Sequence, residues 1–192
     1  MSDAGDPNIA PYPGRYEVAR GKGIPPNEDP VPLDVTGTYD LQQQINEIGR
    51  LVATSPVPDG GLSWDHESRV VVVRLVGAVN GTSADVERLK YAVLEAADGF
   101  VVKFVSVRYS RAELEALADR LFSTMDRWGP SREGIGGGWD CLKNRVVIVI
   151  RRDTDETAQA WIDAIEALHD PRILYETYIP VPRNRRPPRR RH

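Results

Sequence analysis

Along most of the chain, apolar positions recur at two periods, one helical and one typical of strands. Apolar side chains follow helical spacing from Leu41 to Val52, behind an Asp-x-x-Gln capping box that opens at Asp40, which predicts a helix of about 14 residues. Residues 69–76, RVVVVRLV, have the β-branched composition of a buried strand. Residues 58–61, Pro-Asp-Gly-Gly, are typical of a turn before that strand.

A second helix and a second strand are predicted next. Residues 82–97 carry apolar side chains on one helical face and end before Gly99, a residue type favoured just after helix C-termini. Residues 100–107 again have the composition of a strand. A strand, a helical crossover and another strand make a βαβ unit, which is right-handed almost without exception.

The second half predicts the same order of elements again. Ser110 opens a Ser-x-x-Glu capping box, and an apolar stripe from Leu114 to Met125 follows at helical spacing. The remaining predicted elements are a strand over residues 145–150, a helix over residues 154–168 and a strand over residues 173–179.

Short sequence matches between the two halves indicate an internal duplication. They stay collinear, and the offset between matched residues grows slightly along the chain. The matches pair residues 50–54 with 120–124 at an offset of 70, 64–65 with 139–140 at 75, and 69–71 with 145–147 at 76. We therefore predict two related lobes, which either share one sheet or face each other about a pseudo-twofold axis.

The predicted fold is of the α/β (α+β) class, with two helix-strand-helix-strand lobes and about four strands and four helices in all. The first lobe is predicted over residues 38–108 and the second over residues 109–181. Residues 1–37 form a Pro/Gly-rich arm before them, and residues 182–192 form an Arg-rich tail after them.

The arm contains seven of the 15 prolines, which interrupt helical and strand periods, so we predict an extended segment. Its sparse large side chains, among them Tyr12 and Tyr16, are too few for a core but suit docking on another protein surface. A disordered tail is the alternative. The candidate docking residues of the C-terminal tail are Arg183, Arg185, Arg186, Arg189, Arg190 and Arg191.

Charge is distributed unevenly between the tail and the rest of the chain. The whole chain has 25 basic and 28 acidic residues, a net charge of −3, and because the tail holds six arginines and no acidic residue, residues 1–181 carry −9. An Arg-rich tail suits contact with an acidic surface or with nucleic-acid phosphates. A solvated tail, or one that folds back on its own acidic body, is the alternative. No basic, aromatic-lined face is evident in the body, so nucleic-acid contact is a minor alternative.

The composition offers little material for catalysis or metal binding. One cysteine, Cys141, excludes an internal disulfide, and the three histidines share no metal-ligand spacing. We therefore predict no cofactor, no metal and no catalytic residue. With no apolar run of membrane-spanning length and no signal-peptide pattern at the start, a cytoplasmic or virion-associated protein without membrane contact is expected.

Two Trp-Asp dipeptides, at residues 64–65 and 139–140, are the most distinctive motif. In an enzyme, Asp65 and Asp140 could form an acid–base pair and Cys141 could serve as a nucleophile. The favoured interpretation is structural, with each Trp covering the edge of its lobe and each Asp accepting hydrogen bonds from turn amides.

The run Gly134 to Gly138 invites comparison with a phosphate-binding loop. Such loops follow a strand and open a helix, whereas these glycines follow a predicted helix and precede a predicted strand. A flexible loop that contacts a partner is therefore the prediction.

Several short stretches are similar to a known family: residues 60–65 (GGLSWD), 69–73 (RVVVV), 107–114 (VRYSRAEL), 139–140 (WD) and 144–147 (NRVV). They resemble the propeptide lobes of bacterial secreted serine proteases of the alpha-lytic protease and streptogrisin type. The resemblance spans residues 60 to 180. It implies small α/β lobes that bind a partner protein over a broad surface and act as foldase and inhibitor without catalysis.

The sequence favours a non-enzymatic structural or assembly subunit, for instance of a phage particle or a similar multiprotein complex. Its arm, tail and lobe surfaces would dock on other subunits in a homo- or hetero-oligomer. The first alternative is a propeptide-like binder, inhibitor or folding chaperone of a secreted protease. The second is a protein that contacts nucleic acid through its Arg-rich tail.

Overall fold

The computed structural model describes residues 16–20, 38–65, 68–77, 83–131, 133–152 and 154–180 of the 192-residue chain. These residues form an α/β fold of two lobes, each with its own sheet. Both lobes follow the order helix, antiparallel strand pair, helix, parallel strand. The lobes therefore do not share one sheet, which answers the question that the sequence left open.

The first lobe is built on a four-stranded sheet of order β1-β4-β3-β2. The elements β3, α2 and β4 form the predicted βαβ unit, in which the two strands are parallel. The bounds are β1 (Tyr16–Arg20), α1 (Thr38–Thr54), β2 (Asp59–Asp65), β3 (Val70–Val76), α2 (Ala84–Ala96) and β4 (Val101–Val107).

One face of this sheet is covered by both helices. Alternate residues of β3 and β4, including Val71, Val73 and Phe104, are fully buried against α1 and α2 because successive strand side chains point to opposite faces. Burial of each such side chain contributes about 1.5–3 kcal/mol. Trp64 packs edge-on against Phe100, with ring centroids 5.7 Å apart, and so closes the β2 side of the core.

The second lobe is built on a three-stranded sheet of order β5-β6-β7. Val146, Ile148 and Ile150 of the central strand are fully buried under the helices. Trp161, 1% exposed, lies edge-on to Trp128 at 5.6 Å. The bounds are α3 (Arg111–Ser123), α4 (Met125–Trp128), β5 (Ile135–Asp140), β6 (Arg145–Arg151), α5 (Asp155–Glu166) and β7 (Ile173–Tyr178).

The strand registers give the residue equivalence between the lobes. Trp64 lies opposite Val71, and Trp139 lies opposite Val146, so both strands of the hairpin match at an offset of 75. The backbone agrees, because Arg69 (φ 52°) and Asn144 (φ 50°) both adopt the left-handed conformation just before the second strand. The predicted offset of 76 between residues 69–71 and 145–147 is wrong by one residue. The Arg-Val-Val sequence occurs in both halves, but its two copies occupy positions in β3 and β6 that differ by one residue.

The strand count of the prediction is also wrong, because the described residues contain seven strands and five helices. Two of the missed strands are glycine-rich and were interpreted as turn or loop: β2 begins within residues 58–61, and β5 contains Gly136 to Gly138. Glycine weakens a strand intrinsically, yet both segments pair along their length with a valine-rich neighbour. The expected flexible glycine loop is thus an ordered strand.

Gly137 explains why glycine is needed in β5. Its φ is 134°, and a Cβ at this position would lie 2.0 Å from the carbonyl oxygen of Val147 on the neighbouring strand. Only glycine fits such a close approach of two backbones.

The helix starts were predicted with mixed success. Ser110 caps α3 as expected, its hydroxyl accepting a hydrogen bond from the Glu113 amide at 3.2 Å. Asp40 is not a cap, because α1 begins two residues earlier and runs for 17 residues. Asp40 lies in the first turn, where a carboxylate complements the helix dipole.

Part of the N-terminal arm belongs to the first sheet. Strand β1 pairs antiparallel with β4 over its whole length, from Tyr16 opposite Val105 to Arg20 opposite Val101. This segment therefore docks on the chain's own first lobe. Tyr12 and the six tail arginines lie outside the described residues.

Candidate protein-docking edge

The two lobes are joined by a clasp at Asn144, a buried residue with 6% exposure. Its side-chain oxygen accepts hydrogen bonds from the amides of Arg108 (3.2 Å) and Tyr109 (3.0 Å), and its nitrogen donates to the Tyr109 carbonyl at 2.7 Å. Because the oxygen and the nitrogen of this buried amide are both used, the segment between the lobes is held in one orientation.

The two Trp-Asp motifs end β2 and β5 at equivalent positions. Asp65 accepts hydrogen bonds from the amide of Ser68, at 3.4 Å, and from the hydroxyl of the same residue. Asp140 accepts hydrogen bonds from the amides of Leu142 (2.8 Å) and Lys143 (3.1 Å). Each carboxylate thus serves the turn of its own lobe, which is the role that the structural interpretation assigned.

Cys141 packs at the junction between the lobes. Its sulfur lies 3.9 Å from the carbonyl oxygen of Leu62 in β2, and nearby Arg74, 7% exposed, donates to the Ser63 hydroxyl at 3.0 Å. Burial lowers the pKa of Arg74, and the adjacent Cys141 and Asp140 groups oppose that shift. Cys141 therefore contributes to interlobe packing. In the described ranges no group of three or more His, Cys, Asp or Glu residues could hold a metal ion.

The outer edge of β7 is the feature of the second lobe that has no counterpart in the first. Within the part of the chain that the structure describes, β7 pairs only with β6. The carbonyls of Arg172 and Tyr178 accept hydrogen bonds from the amides of Val146 and Arg152, at 2.8 Å each. The backbone groups of the even-numbered residues of β7 therefore face β6. The intervening Tyr175 and Thr177 therefore direct their backbone N–H and C=O groups outward.

Exposed apolar side chains lie on the same strand and directly after it. Tyr175 is 38% exposed, Tyr178 49% and Ile179 73%. Elsewhere in the described part of the chain, the large apolar side chains that are exposed are Tyr91, on the first lobe, and Leu142, at the β5–β6 turn. We call residues 175–179 the docking edge.

Local ion pairing neutralises the charge on the docking edge. Glu176 is paired with Lys143, which also lies 3.7 Å from Asp140, and the hydrogen bond to Glu176 raises the pKa of Lys143. The Tyr175 hydroxyl donates to Glu166 at 3.2 Å, and its pKa is raised by burial and by that carboxylate. The edge is therefore an aromatic, nearly neutral surface suited to protein backbone and apolar groups.

A shallow groove of about 280 Å³ adjoins the docking edge at Tyr178. Gly136 forms part of its wall, with no atom within 4 Å of the position that a Cβ would take. The lining residues are Gly134, Ile135, Gly136, Val149, Arg151 and Tyr178.

The candidate docking residues predicted from the sequence were placed in the arm and the tail, and the docking edge was missed. Of the predicted set, Tyr16 lies in β1, where only the backbone is described. Residues 173–179 were predicted as a strand, and their aromatic content was visible. Sequence alone did not reveal that this strand ends the sheet, because strand order depends on topology.

Comparison with known proteins finds no matching family model and no matching curated protein. Of the helices described, none is long and apolar enough to cross a membrane.

Proposed function

We propose that this chain is a non-enzymatic subunit of a larger protein assembly, such as a phage particle, and that it binds its neighbours by strand addition. The observation that carries the proposal is the outer edge of β7, which is unpaired within the described residues. The equivalent edge of the first lobe, on β4, is covered by β1.

The composition of β7 supports this role. Proteins usually protect a bare edge strand with lysine, proline or a bulge, since its unpaired backbone groups invite pairing with another chain. Residues 173–179, ILYETYI, contain no lysine and no proline, and their one charged residue, Glu176, is paired with Lys143. A partner segment that added a strand here would gain main-chain hydrogen bonds and cover the exposed Tyr175, Tyr178 and Ile179 side chains.

The Arg-rich tail begins at Arg183, shortly after the docking edge. A partner bound at the edge would therefore lie within reach of six arginines, which suit carboxylates on its surface. In this proposal the tail strengthens docking electrostatically, and its contribution falls as salt screens the charges.

The experiment compares native mass in two settings. The chain is isolated from its source cells at low salt and compared with the recombinant 21.4 kDa chain. We expect the chain from the source cells to be part of a large complex. The variant Ile179→Lys should fail to enter this complex, whereas the control Leu142→Lys should enter it normally. Both residues are highly exposed, but only Ile179 lies on the docking edge. Recovery of both preparations as a lone monomer would contradict the proposal.

The propeptide-like alternative makes a different prediction. An inhibitor of secreted serine proteases would block members of that enzyme class at nanomolar concentrations, whereas an assembly subunit would leave them active. Inhibition assays over a panel of such proteases separate the two. Inhibition that Ile179→Lys abolishes would replace the assembly role by the inhibitory one.

The nucleic-acid alternative depends on the tail alone. If the tail contacts phosphates, binding of the chain to nucleic acid falls steeply as salt rises and vanishes when residues 182–192 are removed. We expect only weak binding of this kind, without the salt-resistant component that a dedicated recognition surface would supply.

A further inference from the structure

We infer that the partner of the docking edge is a second copy of this chain, paired antiparallel through β7 about a twofold axis at Thr177. This inference rests on the proposed assembly role and deepens it by naming the occupant and the register. The exposed residues of the edge are complementary to themselves, which is what an isologous interface requires.

The backbone parity of β7 fits such a pairing. Tyr175 and Thr177 direct their backbone groups outward, and in the paired state Ile179 would extend this alternation by one residue past the end of β7. Centring the axis on Thr177 places Thr177 opposite its own copy and Tyr175 opposite Ile179 of the second copy. These are hydrogen-bonded pairs, in which opposing residues exchange both N–H···O bonds.

The side chains match in the same register. Tyr175 meets a β-branched isoleucine, Thr177 meets threonine, and both kinds of cross-strand pair are favourable. On the other face of the strand, Glu176 lies opposite Tyr178 of the second copy and keeps its own Lys143 partner. The pairing thus covers three exposed side chains of each copy, Tyr175, Tyr178 and Ile179.

Charge and length exclude the neighbouring registers of the same parity. An axis at Glu176 would set two carboxylates directly opposite each other with Cα atoms about 4.5 Å apart, which is unfavourable. An axis at Tyr178 would place Tyr175 opposite residue 181, beyond the end of β7, and so shorten the ladder. Of these three registers, the Thr177 axis is the one that pairs residues 175–179 with one another and keeps the two Glu176 side chains apart.

The first lobe supplies a precedent for antiparallel addition at this edge. Strand β1 pairs antiparallel with residues 101–105 of β4, on the side away from β3. Val102 of β4 and Ile173 of β7 are equivalent, since each lies beside the matching valine of the central strand, Val71 or Val146. The helices of this lobe type therefore leave room for an antiparallel strand along residues 172–176, which overlap the docking edge at Tyr175 and Glu176.

Disulfide trapping tests the register in the full chain. In a Cys141→Ser background, Thr177→Cys should form a crosslinked dimer on mild oxidation, because Cα atoms about 5.5 Å apart suit a disulfide. Tyr91→Cys, on an exposed face of the other lobe, is the control for random collision. We expect at least a tenfold faster crosslink at Thr177 than at Tyr91 or at Glu176→Cys. Equal rates at Thr177 and Tyr91, or a faster reaction at Glu176, would overturn the inference.

Sedimentation equilibrium tests the same interface without new cysteines. We expect the recombinant chain to dimerise reversibly, Ile179→Lys to weaken dimerisation at least tenfold, and Leu142→Lys to leave it unchanged. A chain that stays monomeric at the highest soluble concentration would overturn the inference. If such a monomer still entered a complex from the source cells through the docking edge, the proposed assembly role would hold and the homodimer inference would fail. If the chain formed the twofold dimer but entered no larger complex, the homodimer inference would hold and the assembly role would fail.

Discussion

In the first lobe, β4 lies between β3 and β1 and is hydrogen-bonded on both sides, whereas in the second lobe β7 occupies the equivalent place with only β6 beside it in the described ranges. The cores beneath these strands are alike, because each central strand has three aliphatic side chains that are at most 1% exposed. The two lobes thus share the buried strand positions on which each core is built. Among the described residues, the difference lies at the edge, which β1 covers in the first lobe and no strand covers in the second.

The largest expected effect on stability comes from substitution of a glycine in β5, the glycine-rich strand of the second lobe. Gly137→Ala would bring a methyl group to 2.0 Å from the Val147 carbonyl and impose an unfavourable φ, so we expect a loss of about 3 kcal/mol or more in unfolding free energy. Gly136→Ala has open space and should change stability by less than about 1 kcal/mol. Urea unfolding measures both variants, and equal effects would contradict the assigned strand geometry.

The next largest effect on stability is expected at Asn144, the residue that forms the clasp between the lobes. Asn144→Ala leaves two backbone amides without their acceptor and places alanine at positive φ, which should cost about 2–3 kcal/mol. Asn144→Gly keeps the conformation but loses the hydrogen bonds, and should recover about 1 kcal/mol of that loss. Calorimetry should also resolve two unfolding transitions once the lobes are uncoupled. A single unchanged transition would mean that the lobes are coupled elsewhere.

Removing residues 1–20 should make the first lobe resemble the second. The β4 amides that face β1, including those of Val102 and Phe104, should lose about 1 kcal/mol of protection for each hydrogen bond removed. Their hydrogen exchange should then approach that of Tyr175 and Thr177, while Val73 in the central strand stays protected. Unchanged exchange at Phe104 would show that β1 adds nothing to the edge.

The smallest expected effect on stability concerns the turns that precede β4 in the first lobe and β7 in the second. In the first lobe, Gln44 accepts from the Asp98 amide at 2.9 Å, a bond between neutral groups. In the second, hydrogen bonds from Arg172 hold the pKa of Asp170 below its ordinary value of 3.8. The stability from Asp170 is therefore fully present above pH 3.8 and is lost as pH falls through the lower folded pKa.

Acid unfolding of Asp170→Asn measures that contribution. The variant should be less stable than the parent at neutral pH, and the difference should shrink only below pH 3.8. Asp155→Asn, which removes an exposed ion pair with Arg152, serves as the matched control. A difference that shrank already at pH 6 would point to another titrating group.

Sequence patterns predicted the parts of the fold that depend on local burial. The valine runs at residues 70–76 and 145–151, the helices between strands and the Ser110 cap follow from side-chain period and capping chemistry. Strands β2 and β5 were missed because glycine has low strand propensity and their pairing depends on a partner strand. The docking edge was missed because Tyr175 and Tyr178 look the same in the sequence whether or not another strand lies beside them.

The pairing of β1 with β4 also sets an order of events during synthesis. Tyr16 leaves the ribosome long before Val105, its partner, has been made. At roughly 5–20 residues per second, that interval is about 4–18 s. Through that interval the β1 segment has no β4 to pair with, while every strand of the second lobe meets its neighbours within a much shorter stretch of chain. The first lobe is therefore completed late, and the strand that completes it is the one synthesised first.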